Sequence, residues 1–168
     1  MILTCVDVDY REDGSARTAA LLFKAWSDAE EIEVRLHTVQ QTEPYEPGAF
    51  YKRELPCLLP VLEPLAPQLG AIVIDGYVTL DTEGRPGLGW HLFQALGGAV
   101  PVIGVAKTAF RGSAHAQAVQ RGSASHPLYV TAAGIDVLDA AEHIRQMAGP
   151  YRMPTLLGRV DRACREAV

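Results

Sequence analysis

Three acidic residues stand where a metal-assisted cut in a phosphodiester needs them. Asp7 lies inside the apolar run that opens the chain, Met1 to Val8. Asp75 ends the run Ala71-Ile-Val-Ile, and Glu54 closes the segment that starts at Pro44. An unpaired carboxylate at the buried end of a strand is costly. A divalent cation between two of them removes that cost, because hard cations take oxygen ligands. The chemistry to expect is a Mg2+ site, with Mn2+ able to replace it, acting on a phosphodiester. Each residue alone has a blander reading. Asp75 precedes Gly76 and would serve as a turn cap, and a Glu on an early helical turn is usually solvated. The pairing of two strand-end aspartates carries the metal reading.

These acids need elements to position them. Residues 2–9, 17–26 and 32–36 read as three strands, separated by turn signals at 12–15 and 27–30, and together predict an antiparallel meander. A loop with two prolines follows at 38–48, then helical spacing over 50–65, interrupted at Pro56 and Pro60. A fourth strand at 71–75 leads through a glycine-rich loop to a helix over 88–96, which Gly97-Gly98 ends. Strands at 100–105 and 128–132 flank a loop or short hairpin over 107–126. Asp136 is placed to cap a helix running to 147, and a last helix spans about 155–166. Three strands followed by alternating helices and strands predict an α/β, ribonuclease H-like fold. Its mixed central sheet is an antiparallel meander leading into parallel strands, flanked by helices. No repeat or linker divides the chain, so residues 1–168 read as a single domain.

Composition narrows the classes. The 168 residues are 48% hydrophobic and 21% charged, a globular profile with enough chain for a real core. No run of about 18 apolar residues predicts a membrane span. The N-terminal apolar stretch has no basic lead and is interrupted by Asp7 and Asp9, so it reads as a strand and not a signal peptide. The three cysteines are widely spaced without a CxxC pair, which argues for a reducing, cytoplasmic setting over a disulfide framework. The net charge of −5 predicts weak non-specific affinity for a phosphate backbone.

With the motifs placed, the chain resembles the endonuclease V family. The match is carried by Pro44-Tyr45-Glu46-Pro47-Gly48 with Phe50 and Arg53-Glu54, by Val6-Asp7-Val8, and by Ile74-Asp75-Gly76. Gly87-Leu88 with His91-Leu92, Pro101 to Lys107, Pro127 to Val130, and Tyr151-Arg152 with Pro154 continue it in the family's order. The resemblance implies an enzyme that binds a deaminated base, inosine or deoxyinosine, in a DNA or RNA strand. Such an enzyme cuts a phosphodiester on the 3′ side with Mg2+. It assigns Asp7, Glu54 and Asp75 to the metal and to catalysis. Lys107 becomes a catalytic phosphate contact. Tyr45, on a loop stiffened by Pro44 and Gly48, becomes the wedge that replaces the extruded base. Gly76 and Gly87 join the nucleic-acid surface. Beside the resemblance, a lysine following a buried strand places one fixed positive charge next to such a site.

The chain departs from the family at four places. The His of the family's Gly-His motif is absent, its position falling near Gly134. Val78 stands where the family's base pocket has a second glycine, and its Cβ is expected to crowd the base. Asp81-Thr82-Glu83 replaces a His-Pro dipeptide, setting acids near the phosphate path. The usual N-terminal helical extension is missing. An alternative reading is therefore a nucleic-acid-binding relative that has lost cleavage or changed its specificity. A small-molecule enzyme is disfavoured, because the chain lacks GxGxxG spacing, a P-loop, a Gly-x-Ser-x-Gly elbow and zinc-ligand histidine spacing.

Overall fold

The computed structural model describes residues 1–109 and 112–166, so Phe110 and Arg111 of the 107–126 stretch lie outside the described residues. The meander forms as expected from β1 (Ile2–Tyr10), β2 (Ala16–Phe23) and β3 (Glu33–Val39), each antiparallel to the next. β2 stops at Phe23, three residues short of the expected end. The Asp28 carboxylate accepts from the backbone N–H groups of Lys24 (3.0 Å) and Ala25 (2.9 Å), so a turn takes over there. β4 (Leu69–Asp75) pairs parallel to β1, and β5 (Val102–Ala106) pairs parallel to β4. β4 is a near-continuous apolar run because both of its faces are covered.

The final strands differ from the expectation of parallel pairing. β7 (Leu128–Ala133) runs antiparallel to β5, and β6 (Gln117–Val119) forms a hairpin-like pair on its outer side. A parallel crossover normally carries a helix. The stretch between β5 and β7 has none among the described residues, and the chain returns antiparallel. Among the described residues the sheet has seven strands in the order β3-β2-β1-β4-β5-β7-β6. The ribonuclease H-like class expected from the sequence is the class observed.

Helices cover both faces. α1 (Tyr51–Leu65) and α2 (Leu88–Ala95) seal one face, where Leu58, Leu62 and Leu92 meet Ala20, Leu22, Ile72 and Ile74. α3 (Val137–Gln146) and α4 (Thr155–Glu166) seal the other, with Ile144, Leu156 and Val160 against Cys5, Leu21, Val73 and Ile103. The expected interruption of α1 does not occur. Pro56, Pro60 and Pro64 all lie inside the helix at four-residue spacing, on its exposed side. An interior proline costs about 3 kcal/mol. Burial of Cys57, Leu58, Val61, Leu62 and Leu65 on the opposite stripe offsets this, at roughly 1.5–3 kcal/mol for a large apolar side chain. Among the described residues no helix is long and apolar enough to cross a membrane.

Candidate metal centre

The centre forms where two neighbouring strands part. β1 and β4 pair in parallel up to Cys5 and Val73 and then cease to hydrogen-bond. Asp7 and Asp75 each lie two residues further on, level with one another across the opening. β1 continues beside β2, while Asp75 still pairs with Val105 of β5. A crevice at the carboxyl ends of divergent strands is the usual ligand site of an open α/β sheet. Here it is a cavity of ≈ 70 Å³, lined by Asp7, Asp75, Lys107 and Asp161 over a floor that includes Val6, Ile74 and Val105. That is room for an ion and a few waters. A narrower crevice on the other side of the same two aspartates holds Glu54, delivered by the first turn of α1.

The electrostatics show acids in excess. Burial pushes the Asp7 pKa up to about 7, aided by the charges of Asp75 and Asp161, against one favourable hydrogen bond from the Val8 N–H at 2.9 Å. Burial pushes Glu54 up to about 8, with Asp7 and Asp75 adding to the rise and the neighbouring Tyr10 and Arg53 opposing it. Asp75 is open to solvent at the lip, yet the protein around its carboxyl raises its pKa, while Lys107 pulls it back. Lys107 is exposed at the end of β5. The Arg53 guanidinium is engaged elsewhere, stacked 3.8 Å over the Tyr10 ring.

The fourth acid, Asp161, is one the sequence reading missed. Its carboxyl is a hydrogen-bond neighbour of Asp7, and the ligand atoms of Asp7, Asp161 and Cys164 all lie within 4.8 Å of one another. This group, and not Asp7 with Glu54 and Asp75, is the tightest among the described residues. Its signal in the sequence was the pattern of α4. Leu156, Val160 and Cys164 form the buried stripe, and Asp161 is an acid on the flank of that stripe. Burial pushes the Cys164 thiol up to about 12, so it stays neutral and is a poor ligand beside the carboxylates.

Other expected site residues fall in different places. Tyr45 is 59% exposed on its loop, with its ring edge-on to Phe50 at 6.0 Å. Pro44 and Tyr45 line an open groove against Tyr51, Leu55 and Pro56 of α1, and Gly48 turns the same loop with φ +80°. Gly76 follows Asp75 with open space where a side chain would stand. Gly87 is buried, and a Cβ there would meet the Tyr77 carbonyl at 2.7 Å, so close packing of α2 already requires this glycine. His91 stacks on Tyr51 with ring centres 3.6 Å apart.

Three sequence expectations are corrected. Val78 does not crowd a base, because its side chain is fully buried in the α1–α2 core beside Gly89. Its backbone N–H donates to the Thr131 hydroxyl at 2.8 Å. Gly134 is no vacated ligand position. It does not line the acidic cavity, and a Cβ there would meet Phe93 at 2.7 Å. Asp81 does not confront a phosphate path as a bare charge. It accepts from the N–H groups of Glu83 and Arg85 and pairs with the Arg85 side chain. Asp136 is the helix cap it resembled, accepting from Leu138 N–H at 2.8 Å.

Known proteins resemble this chain as a whole. The family model described as Endonuclease V matches residues 1–145. The endonuclease V of Streptomyces avermitilis is 29% identical over 186 aligned positions, spanning 99% of this chain and 80% of the relative. The crystal structure of the Streptomyces avermitilis endonuclease V superposes with a TM-score of 0.75 at 26% identity, covering 99% of this chain and 81% of that one. Ciona intestinalis endonuclease V, in complex with a 24mer DNA containing an inosine followed by a ribo-adenosine, gives a TM-score of 0.80. At 17% identity over 98% of this chain and 84% of that one, this second likeness is one of fold.

Proposed function

The chain belongs to the endonuclease V family, and from that premise we propose that it is a Mg2+-dependent endonuclease. It cleaves a phosphodiester 3′ to a deaminated base, inosine or deoxyinosine, in DNA or RNA. The observation that carries the reading is the convergence of Asp7, Asp75 and Asp161 on one cavity, with Glu54 behind them and with burial raising the pKa of Asp7, Glu54 and Asp75. Acids that repel one another at a strand opening fit a hard divalent cation, which takes carboxylate oxygens. A protein that only bound nucleic acid would gain nothing from them.

Asp7, Asp75 and Asp161 are the residues to hold the ion, and Glu54 adds charge from the α1 side. The ion, when bound, supplies Lewis-acid activation of water and of the phosphoryl group. The chain's own residues do the rest. Lys107 sets a fixed positive charge at the lip, where it meets a phosphate oxygen and offsets charge that grows on the transferring group. Asp7 and Glu54 release protons when the site is charged with metal. Tyr45, steadied by Phe50 on the loop that Pro44 and Gly48 shape, fills the gap left by the extruded base. Gly76 leaves room for the strand beside Asp75.

The test is a nicking assay with Mg2+ or Mn2+ on matched DNA and RNA strands that carry inosine or adenosine. Wild type cuts the inosine strand, and Asp75→Asn and Asp161→Asn lose most of the activity. Equal background cleavage by wild type and Asp75→Asn on all strands would overturn the nuclease reading.

A further inference from the structure

A lysine carries a compact charge on a flexible four-carbon stem, so its ammonium is placed only as well as its backbone is held. Lys107 is the first residue past β5, and it lines the acidic cavity with Asp7, Asp75 and Asp161. Burial raises the Asp75 pKa, and Lys107 is near enough to pull it back. Yet the backbone that carries this charge has just left the sheet. β5 and β7 pair up to Ala106 and Tyr129. Carried on, that register sets Thr108 opposite Pro127, which has no N–H to give. The ladder stops where the charge must stand.

Two side chains from other segments take over. The Tyr77 hydroxyl, two residues past Asp75, donates to the Thr108 carbonyl at 2.8 Å. The Arg152 Nη2 donates to the Lys107 carbonyl and also to the Pro127 carbonyl, the latter at 2.8 Å. One guanidinium nitrogen thus joins the ends of two strands at the point where the sheet ceases to join them. Arg152 is itself held, because the Arg121 Nε donates to its carbonyl at 3.1 Å. The next residue, Met153, lines the acidic cavity, whereas the Arg152 side chain does not. Its Nη2 is spent on the two carbonyls, so its route to the site runs through Lys107.

We propose that Arg152 is a positioning residue, which holds the Lys107 backbone so that the ammonium stands at the acidic cavity, with Tyr77 as the second brace. This rests on the reading of Lys107 as the phosphate contact. The planar fork of an arginine suits the task, since its donors point in fixed directions. Arg152→Met removes the hold and keeps the fold, because the Lys107 carbonyl lies at the surface and water takes the place of the guanidinium.

The first experiment reads where the ammonium is, without any cleavage. The chain has three lysines, Lys24, Lys52 and Lys107, so carbon-13 at lysine Cε gives one signal for each, and Lys107→Arg assigns the third. The probe is Mn2+ alone, whose paramagnetic broadening falls steeply with distance, read at equal Mn2+ occupancy. In wild type it broadens Lys107 more than Lys24 or Lys52. In Arg152→Met that excess is largely lost, while Lys24 and Lys52 keep their positions and report an intact fold. Tyr77→Phe keeps the ring, loses one brace and shows a smaller loss. The second experiment is a double-mutant cycle in the nicking assay. Lys107→Ala and Arg152→Met each lower kcat by about tenfold or more, and the double variant is no slower than Lys107→Ala alone.

Equal broadening of Lys107 in wild type and Arg152→Met, or no excess broadening in wild type, would overturn the proposal. So would a double variant in which the two losses multiply, the mark of a role apart from Lys107. Arg152-dependent broadening in a wild type that cuts no strand would overturn the nuclease reading and uphold the placement of Lys107.

Discussion

With a pKa near 7 for Asp7 and near 8 for Glu54, the metal-free centre holds protons that an unfolded chain releases close to pH 4. Raised carboxylates stabilise the folded state below their unfolded values, and that contribution is lost as pH climbs through the folded ones. Without divalent metal, the melting temperature therefore falls as pH rises from about 5 to about 8. With Mg2+ or Mn2+ the fall is reduced or reversed, since metal replaces the protons. Thermal melts with and without EDTA across that range check this. Asp7→Asn removes one repelling charge, so it flattens the metal-free profile and abolishes the metal-induced rise. Val78 calls for a different expectation. Its fully buried side chain makes Val78→Ala a core cavity, costing about 1–3 kcal/mol in a denaturant melt. The ratio of inosine to adenosine cleavage stays as in wild type.

At the scale of elements, one buried arginine joins the α3 end of the molecule. Arg121 donates to the carbonyls of Ile144, Arg145 and Met147 at the end of α3, and to those of Gly149, Tyr151 and Arg152 in the turn toward α4. The last carbonyls of a helix lack internal partners, and a cation there also meets the negative end of the dipole. Because α4 carries Asp161, this clamp helps to set where the fourth acid stands. Arg121→Met leaves several carbonyls unpaired and should cost about 3 kcal/mol or more. Hydrogen exchange should rise first in residues 144–155, and metal affinity should fall with the loosening of α4. A uniform rise in exchange across the sheet would contradict that local role.

At the scale of the molecule, a net charge of −5 repels a polyanion. Under the proposed function, binding to a modified strand rests on the metal centre, on Lys107 and on stacking, and not on a broad basic face. The salt dependence of binding should be shallow, with a log–log slope no steeper than about −4 between roughly 50 and 200 mM salt. Fluorescence anisotropy with Ca2+ in place of Mg2+ measures it without cleavage. A steep slope would reveal a phosphate-binding surface that the charge balance hides.

The sequence alone determined the meander, the parallel step to β4, the family and the candidate acids Asp7, Glu54 and Asp75. These rest on local periodicity, turn residues and short ordered motifs, which are readable within a few residues of themselves. The tertiary structure decided what depends on distant contacts. Asp161 joins Asp7 only because α4 folds back over β1, across more than 150 residues of chain. Val78 changed from a pocket residue to a core residue because a strand-end loop can turn its side chain to either face, and the packing of α2 selects one. The prolines of α1 were overruled for the same reason, since burial of one helical stripe outweighs a local penalty. The antiparallel direction of β7 goes with a connection from β5 that has no crossover helix among the described residues, which only the assembled sheet reveals.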